Sequence, residues 1–386
     1  MKPIIYADNA ATTRLSPTVL EAMLPFLREE YGNASSLYSL GRRARVPLEE
    51  ARETIARCLG GQNREIFFTS GGSEANNWAL KGAADFLAKN GKRHIISTAF
   101  EHPSVLHTLD ALKREGFSIT LLPVHENGIV RPEDLQRAIR EDTGLVSVMY
   151  ANNEVGTIQP IGELGAICRQ KGIWFHTDAV QAAGVLPIDV VKEHIDLLSL
   201  SGHKFHGPKG IGALYIREGL HFPNLIHGGE QESGRRAGTE NTAAIVGLGV
   251  AMEEACLHRE DTSRKVHAMR DRLLTGLLSI PGCQLNGDRK RRLPGNLNLS
   301  FAGIEGESLL LMLDMRGICA SSGSACASGS QDPSYVLRAL GVEVELAKGS
   351  LRLTLGDMNT EEEVDILLRE IPETVAHLRQ MRGWHP

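Results

Sequence analysis

Ile173-Trp-Phe-His-Thr-Asp178 and Asp196-Leu-Leu-Ser-Leu-Ser-Gly-His-Lys204 are two apolar runs, the first ending on an acid and the second followed at once by a lysine. They belong to a series of short apolar runs, at residues 65–69, 94–98, 119–123, 146–150, 173–176, 196–200 and 212–216, separated by several amphipathic segments of helix length. Strand-length and helix-length patterns in alternation argue for an α/β layer with a largely parallel sheet. In such a layer the chemistry belongs in the loops at the strand ends. Asn127-Gly128 reads as a tight turn, and Arg131-Pro132-Glu133-Asp134 as the opening of a helix.

The second half has a different rhythm. A long helical pattern runs from about Ala243 through Met252 and Arg259 toward Leu278, and marks the crossing into a second domain. Beyond it, Asn296-Leu-Asn-Leu-Ser-Phe301 and Ser350-Leu-Arg-Leu-Thr-Leu355 alternate with period two, as half-buried antiparallel strands do. Arg352 and Thr354 then share a polar face. Thr360-Glu-Glu-Glu363 has capping-box spacing ahead of an amphipathic C-terminal helix.

A chain of 386 residues exceeds the usual reach of one hydrophobic core. Its net charge of -5 leaves no basic footprint for nucleic acid or an anionic membrane. The N-terminus has no apolar stretch of secretory length, and no later segment approaches a membrane span, so a cytoplasmic protein is expected. Six cysteines are scattered without a Cys-x-x-Cys pair, which argues against disulfides and a metal site.

An acid and a lysine at neighbouring strand ends are what pyridoxal phosphate chemistry requires. The lysine amine forms a Schiff base with the cofactor aldehyde, and the carboxylate keeps the pyridine nitrogen protonated so that the ring accepts electrons. Asp178 and Lys204 fill these roles, although Asp178 also suits a helix N-cap. Gln181 lies about one helical turn after Asp178, within reach of the phenolic oxygen. In Phe67-Phe-Thr-Ser-Gly-Gly-Ser73 a strand passes through two glycines into a helix, so Gly72 and Ser73 are candidate phosphate donors. An ordinary strand–helix turn with Ser73 as N-cap is the alternative. Ser201 and His203 stand just before Lys204, placed for the same phosphate. His102 follows another strand, where an imidazole can stack on a flat ring or shuttle protons. Asn153 offers an amide in a loop with little to pack, or serves its turn.

Ser321-Ser-Gly-Ser-Ala-Cys-Ala-Ser-Gly-Ser330 displays Cys326 among small residues with nothing apolar to bury it. Cysteine is normally among the most buried residue types, so this placement points to a reactive thiol. Cys58, Cys168, Cys256 and Cys319 sit in apolar or amphipathic contexts and read as packing residues.

Taken together, these segments resemble the cysteine desulfurases, pyridoxal-phosphate enzymes of fold type I that are similar to class-V aminotransferases. The resemblance runs through Tyr6-Ala-Asp-Asn-Ala-Ala-Thr-Thr13, Gly32-Asn-Ala-Ser-Ser36, Thr69-Ser-Gly-Gly-Ser-Glu-Ala-Asn76, the Asn-Asn-Glu, His-Thr-Asp-Ala-Val-Gln and His-Lys segments, Gly228-Gly-Glu-Gln-Glu232 and Arg236-Ala-Gly-Thr239. Ser-Ser-Gly-Ser-Ala-Cys resembles the subgroup with a long catalytic loop. The resemblance implies a mostly parallel seven-stranded sheet in a large domain (15–258) and a smaller α+β domain (1–14 and 259–386). Lys204 would carry the cofactor, His102 stack on it, and Asp178 and Gln181 contact the ring. Gly72, Ser73, Ser201, Gly202 and His203 would hold the phosphate, with Thr239 reaching the phosphate of a second subunit in a homodimer. Asn153 and Arg352 would bind the carboxylate of L-cysteine, and Arg352 also presents a planar fork suited to one. Cys326 would accept sulfur as a persulfide, leaving alanine, for a sulfur-acceptor protein of iron–sulfur assembly or another thiolation route. One departure is visible: Ala34 and Tyr38 stand where the family often has proline and histidine, which touches only local loop contacts. A selenocysteine lyase or aminotransferase-like enzyme that dispenses with Cys326 is the alternative, and a non-catalytic module a further one.

Overall fold

The computed structural model describes residues 4–323 and 333–384. A short strand β1 (Ile5–Tyr6) and helices α1 (Pro17–Arg28) and α2 (Ser39–Leu59) precede the alternating region. That region comprises β2 (Ile66–Thr69), α3 (Gly72–Lys89), β3 (His94–Thr98), α4 (Pro103–Arg114), β4 (Ser118–Leu122), α5 (Pro132–Ala138), β5 (Thr143–Ser147), α6 (Ile161–Lys171), β6 (Trp174–Asp178), β7 (Leu197–Ser201) and β8 (Gly212–Ile216). Strands β2 to β8 form one seven-stranded sheet in the order β2-β8-β7-β6-β5-β3-β4. All its pairs are parallel except those of β8, which runs against both neighbours. In consequence β2, β3, β5, β6 and β7 all end at one edge.

Successive side chains of a strand point to opposite faces. Leu197 therefore packs in one apolar core and Leu198 in another, and the same split separates Leu145 from Val146 and Ile95 from Ile96. Covered on both faces, the central strands read as apolar runs without polar alternation. The fifth strand starts three residues earlier than its apolar run suggests, because Thr143 and Gly144 carry little apolar signal. Its ladder nonetheless continues through Val148 N–H to His176 O (3.1 Å) and Tyr150 N–H to Asp178 O (2.8 Å).

The remaining elements are α7 (Thr242–Leu277), β9 (Cys283–Leu285), β10 (Asn296–Phe301), α8 (Gly306–Asp314), β11 (Ile318–Cys319), α9 (Tyr335–Ala339), α10 (Val344–Lys348), β12 (Ser350–Thr354) and α11 (Glu361–Arg382). Helix α7 packs Leu248 and Met252 into the core beside the large sheet and Val266, Met269 and Leu273 into a separate core with Ile5, Leu299, Leu353 and Leu367. The Thr360 capping box forms, with Glu363 N–H donating to Thr360 Oγ1 at 3.3 Å and Thr360 N–H to Glu363 Oε2 at 3.2 Å.

Strands β10 and β12 pair antiparallel, as their alternation predicts, but they are buried on both faces. The polar face does not meet water. Asn296 and Asn298 donate to the Glu154 carbonyl (3.3 and 3.1 Å), Thr354 Oγ1 accepts from Ala10 N–H (2.8 Å), and Arg352 reaches the loop after β5. This face is polar because it docks on backbone groups of the large sheet's loops.

A buried ion pair fixes the segment that carries Thr239. Arg52 Nη1 and Nη2 lie 2.8 and 2.9 Å from the Glu232 carboxylate, which also accepts from Phe68 N–H at 2.9 Å. Both residues are buried. Replacing Arg52 by methionine keeps most of the volume and leaves the carboxylate uncompensated, so stability falls by about 3 kcal/mol. A urea unfolding curve of Arg52→Met beside wild type reads this directly.

Candidate active site

The shared strand edge gathers the side chains that sequence reading placed there. Gly72, Ser73, His102, Asn153, Asp178, Gln181, Ser201, Lys204 and Arg352 line one cavity, together with Ala10, Ala11, Asn76 and Ser104. Asp178 ends β6, Ser201 ends β7, and Lys204 closes the short helical turn that follows. Each is delivered by the parallel sheet.

Helix α3 is capped by Gly71 (φ 149°, ψ −178°), with Gly72 its first residue and Ser73 inside the first turn, so Ser73 is not the N-cap. A Cβ at Gly72 would lie 2.6 Å from Val180 Cγ2 and 3.6 Å from Ser201 Cβ. Glycine lets the helix start approach the end of β7, forming a cradle of amide donors beside a hydroxyl. Gly202 is different: its N–H donates to Ile211 O at 3.1 Å and is not available to a phosphate. Its lack of a side chain serves packing, since a Cβ there would meet Leu248 Cδ1 at 3.0 Å. The His203 ring bonds Thr12 Oγ1 at 3.1 Å, and burial pulls its pKa down to about 4, with Lys204 and Lys209 acting the same way. Neither Gly202 nor His203 lines the cavity. Thr239 is exposed and also lies outside it.

At the other end, Asp178 is tied down on both oxygens: Oδ1 accepts from Val180 N–H (3.0 Å) and Oδ2 from Asn76 Nδ2 (2.7 Å). The bond to Val180 is a local turn contact, so Asp178 ends a strand and does not cap a regular helix. Asn76 Nδ2 also donates to Ser104 Oγ at 2.9 Å, and Ser104 Oγ lies 2.8 Å from His102 Nδ1. Ser104 N–H adds a second donor to the same nitrogen at 3.1 Å. With Nδ1 accepting, the neutral ring carries its proton on Nε2. Burial lowers the His102 pKa, Asp178 opposing and Lys204 reinforcing, which keeps the ring neutral near pH 7.

Lys204 Nζ donates to Ala10 O (2.5 Å) and Ala11 O (2.8 Å), and Gln181 Nε2 to Ala10 O (3.0 Å). Arg352 is 1% exposed, with Nη2 at 2.8 Å from Asp8 Oδ1 and Nη1 at 3.0 Å from Asn153 O. Among the buried side-chain atoms with no hydrogen-bond partner among the described residues are Arg352 Nε, Asn153 Oδ1 and Asn76 Oδ1. Such orphans in a cavity wall call for a polar ligand. An acid at one end, a glycine cradle at the other, an amine between them and a guanidinium facing them fit pyridoxal phosphate with an amino-acid substrate.

Sequence reasoning passed over Asn76, Ser104, Asp8 and Ala10–Ala11. Asn76 lay inside the quoted Thr69–Asn76 segment, and a polar residue one turn into a helix beside a small-residue turn was the available signal. Cys326 lies outside the described residues. Of the other cysteines, Cys168 is fully buried, as a packing residue should be. Cys58 and Cys256 also pack against the large core, though only half-buried, and they hydrogen-bond to each other. That bond, followed by nearby Arg259 and Arg57, brings the Cys256 thiol to about 7 against the opposing effect of burial.

The chain matches the family described as Aminotransferase class-V over residues 5–367, a pyridoxal-phosphate class. The cysteine desulfurase IscS of Clostridium botulinum is 54% identical over 384 residues, covering 99% of this chain and 96% of that protein. The Methanosarcina thermophila IscS is also 54% identical, covering 99% and 94%. Among solved structures, a NifS-like protein superposes with a TM-score of 0.92 at 42% identity, covering 97% of this chain and all of that one. SspA in complex with cysteine gives 0.82 at 37%, covering 92% and 100%. Within the class, this chain belongs to the cysteine desulfurase family.

Two expectations follow from the geometry. Asn76→Ala removes a charged-acceptor hydrogen bond worth about 1.5–3 kcal/mol, so pyridoxal phosphate should bind roughly 10- to 100-fold more weakly in an absorbance titration. Glu101, beside His102, is wholly buried, and burial raises its pKa from 4.5 to about 8. The folded protein therefore keeps a proton that the unfolded chain loses between these values. Stability should fall as pH rises through that window, by roughly 1 kcal/mol per unit, and Glu101→Gln should remove that part of the slope in urea titrations at successive pH values.

Proposed function

We propose that the chain converts L-cysteine to L-alanine and takes the sulfur onto Cys326 as a persulfide for a protein acceptor. The observation that carries this reading is the meeting, in one cavity, of Lys204, Asp178 and His102 from the sheet edge with Arg352 from β12. Pyridoxal phosphate, when bound, supplies an aldehyde for amine exchange and a ring that accepts electrons from the substrate carbon. Gly72, Ser73 and Ser201 would hold its phosphate, Asp178 its ring nitrogen and Gln181 its phenolic oxygen.

Arg352 binds the substrate carboxylate through its unpartnered Nε and neighbouring donors, beside the Asn153 amide. This fixes the α-carbon near Lys204, whose amine, once exchanged, removes the α-proton. Asn76 and Ser104 hold His102 neutral, with its Nε2–H as a hydrogen-bond donor. The Cys326 thiolate bonds the substrate sulfur while the carbon–sulfur bond breaks with its electron pair on carbon. Protonation of that carbon and return of a proton to the α-carbon give alanine.

Several finer points belong to the same proposal. Thr239 is exposed on a segment braced by Arg52–Glu232 and by Glu74–Arg236 (2.8 Å), which suits a residue that completes the phosphate site of a second copy. Exposed Leu27, Tyr31 and Leu37 around α1 and the start of α2 suit a homodimer. The large unit would span 15–258, with 1–14 and 259–386 forming the small one. A cytoplasmic setting fits a chain in which no described helix is long and apolar enough to cross a membrane. The persulfide would serve iron–sulfur assembly or another thiolation route.

Alanine release from L-cysteine with a reductant, measured for wild type, Cys326→Ala and Lys204→Ala, tests the reading. Wild type should turn over, Cys326→Ala should stay yellow and inactive, and Lys204→Ala should fall at least 1,000-fold, the loss of about 4 kcal/mol of barrier lowering. Full activity in Cys326→Ala would instead make the chain a selenocysteine lyase or an aminotransferase-like enzyme.

A further inference from the structure

Cys326 lies between Gly323 and Pro333 in sequence. The departing end is stitched to β12. Arg352 N–H donates to Ser321 O (2.5 Å), Ser321 N–H to Arg352 O (3.2 Å), and Ser350 Oγ to Ser322 O (2.7 Å). The returning end is stitched to the large sheet's loops. Ser334 Oγ donates to Glu154 Oε2 (2.5 Å) while capping α9, and Tyr335 Oη donates to Glu101 O (2.7 Å).

Glu154 bonds the returning end and lies beside the departing one. Besides the Ser334 bond, its Oε2 stands 3.0 Å from where a Cβ of Gly323 would be, and at φ +148° that position favours glycine. The carboxyl is buried, its Oε1 has no partner among the described residues, and burial raises its pKa against the pull of Ser334 and Arg352. Its backbone is immobilised by Asn152 Oδ1 on the N–H (2.8 Å) and by Asn296 and Asn298 on the carbonyl. A buried carboxyl is a costly residue to place at a loop junction unless its position is used. Its chain neighbour Asn153 is the substrate amide, so it sits where the substrate end of the cavity meets both roots of the Cys326 segment.

We infer that Glu154 is a positioning residue for sulfur transfer, clasping the two roots of the segment that carries Cys326 so that the thiol is presented to substrate held at Asn153 and Arg352. This rests on the reading of Cys326 as sulfur acceptor. Glu154 touches no reacting atom. Its loss should slow the step that needs Cys326 and spare the steps that precede it.

Holoenzyme of wild type, Glu154→Gln, Glu154→Ala and Ser334→Ala is mixed with L-cysteine in stopped flow. Two signals are followed: the cofactor absorbance change on substrate binding and, by quench and mass spectrometry, persulfide on Cys326. In Glu154→Ala and Ser334→Ala the absorbance change should stay within about twofold of wild type while persulfide formation slows about 10- to 100-fold, the cost of misplacing a reacting group by about an ångström. Glu154→Gln keeps an acceptor for Ser334 and should recover most of the rate. Ser334→Ala loses only a hydroxyl, so it reports even if Glu154→Ala fails to fold. Equal slowing of both signals would make Glu154 a part of substrate binding and overturn the inference, as would persulfide formed at the wild-type rate in both variants. Wild type without persulfide on Cys326 would bring down the functional reading and this inference with it.

Discussion

The buried guanidinium of Arg352 is the constraint around which the two halves of the molecule are arranged. A charge that is 1% exposed costs several kcal/mol to desolvate unless its donors are met. Two of its nitrogens are met by distant parts of the chain, Asp8 from the N-terminal segment and the Asn153 carbonyl after β5, while the backbone of the same residue pairs with Ser321. Neither Asp8 nor Asn153 could shift alone without leaving the cation less paired. The incomplete pairing is equally informative. Nε has no partner among the described residues, so a substrate carboxylate would complete a set of interactions that the fold leaves unfinished.

The N-terminal segment carries that constraint across to the amine. Ala10 N–H bonds Thr354 Oγ1 on the strand of Arg352, while Ala10 O accepts from both Lys204 and Gln181. Two residues before it, Asp8 pairs with the guanidinium itself. A short strip of backbone thus couples the side of the cavity that bears Arg352 to the side that bears the lysine.

What was legible in the sequence was whatever the sheet alone determines. In a parallel sheet covered on both faces, an apolar run followed by a polar residue marks both a strand and the edge at which it ends. Asp178, Lys204, His102 and Ser201 were therefore readable from their own segments. Partners set by tertiary docking left no such mark. Asn76 looks like any polar helix residue until β6 is beside it, and Asp8 is hundreds of residues from Arg352. Period-two alternation in β10 and β12 was read as one face in water because pattern alone does not separate water from a wall of backbone carbonyls. The family resemblance placed Gly202 among the phosphate donors, but its N–H is claimed by Ile211.

The electrostatics of the cavity follow from the order in which these groups are buried. His102 has its Nδ1 occupied by two donors from Ser104, and Ser104 is oriented by Asn76, the same amide that holds Asp178. One asparagine therefore sets both the protonation geometry of the imidazole and the position of the acid. An unassisted imidazole in this environment would be free to choose either tautomer. The hydrogen-bond chain removes that freedom, so the hydrogen-bond donor that His102 offers is confined to Nε2 before substrate arrives. Preorganisation of this kind lowers the cost of reaching the reacting geometry, because little polar rearrangement is left for the chemical step.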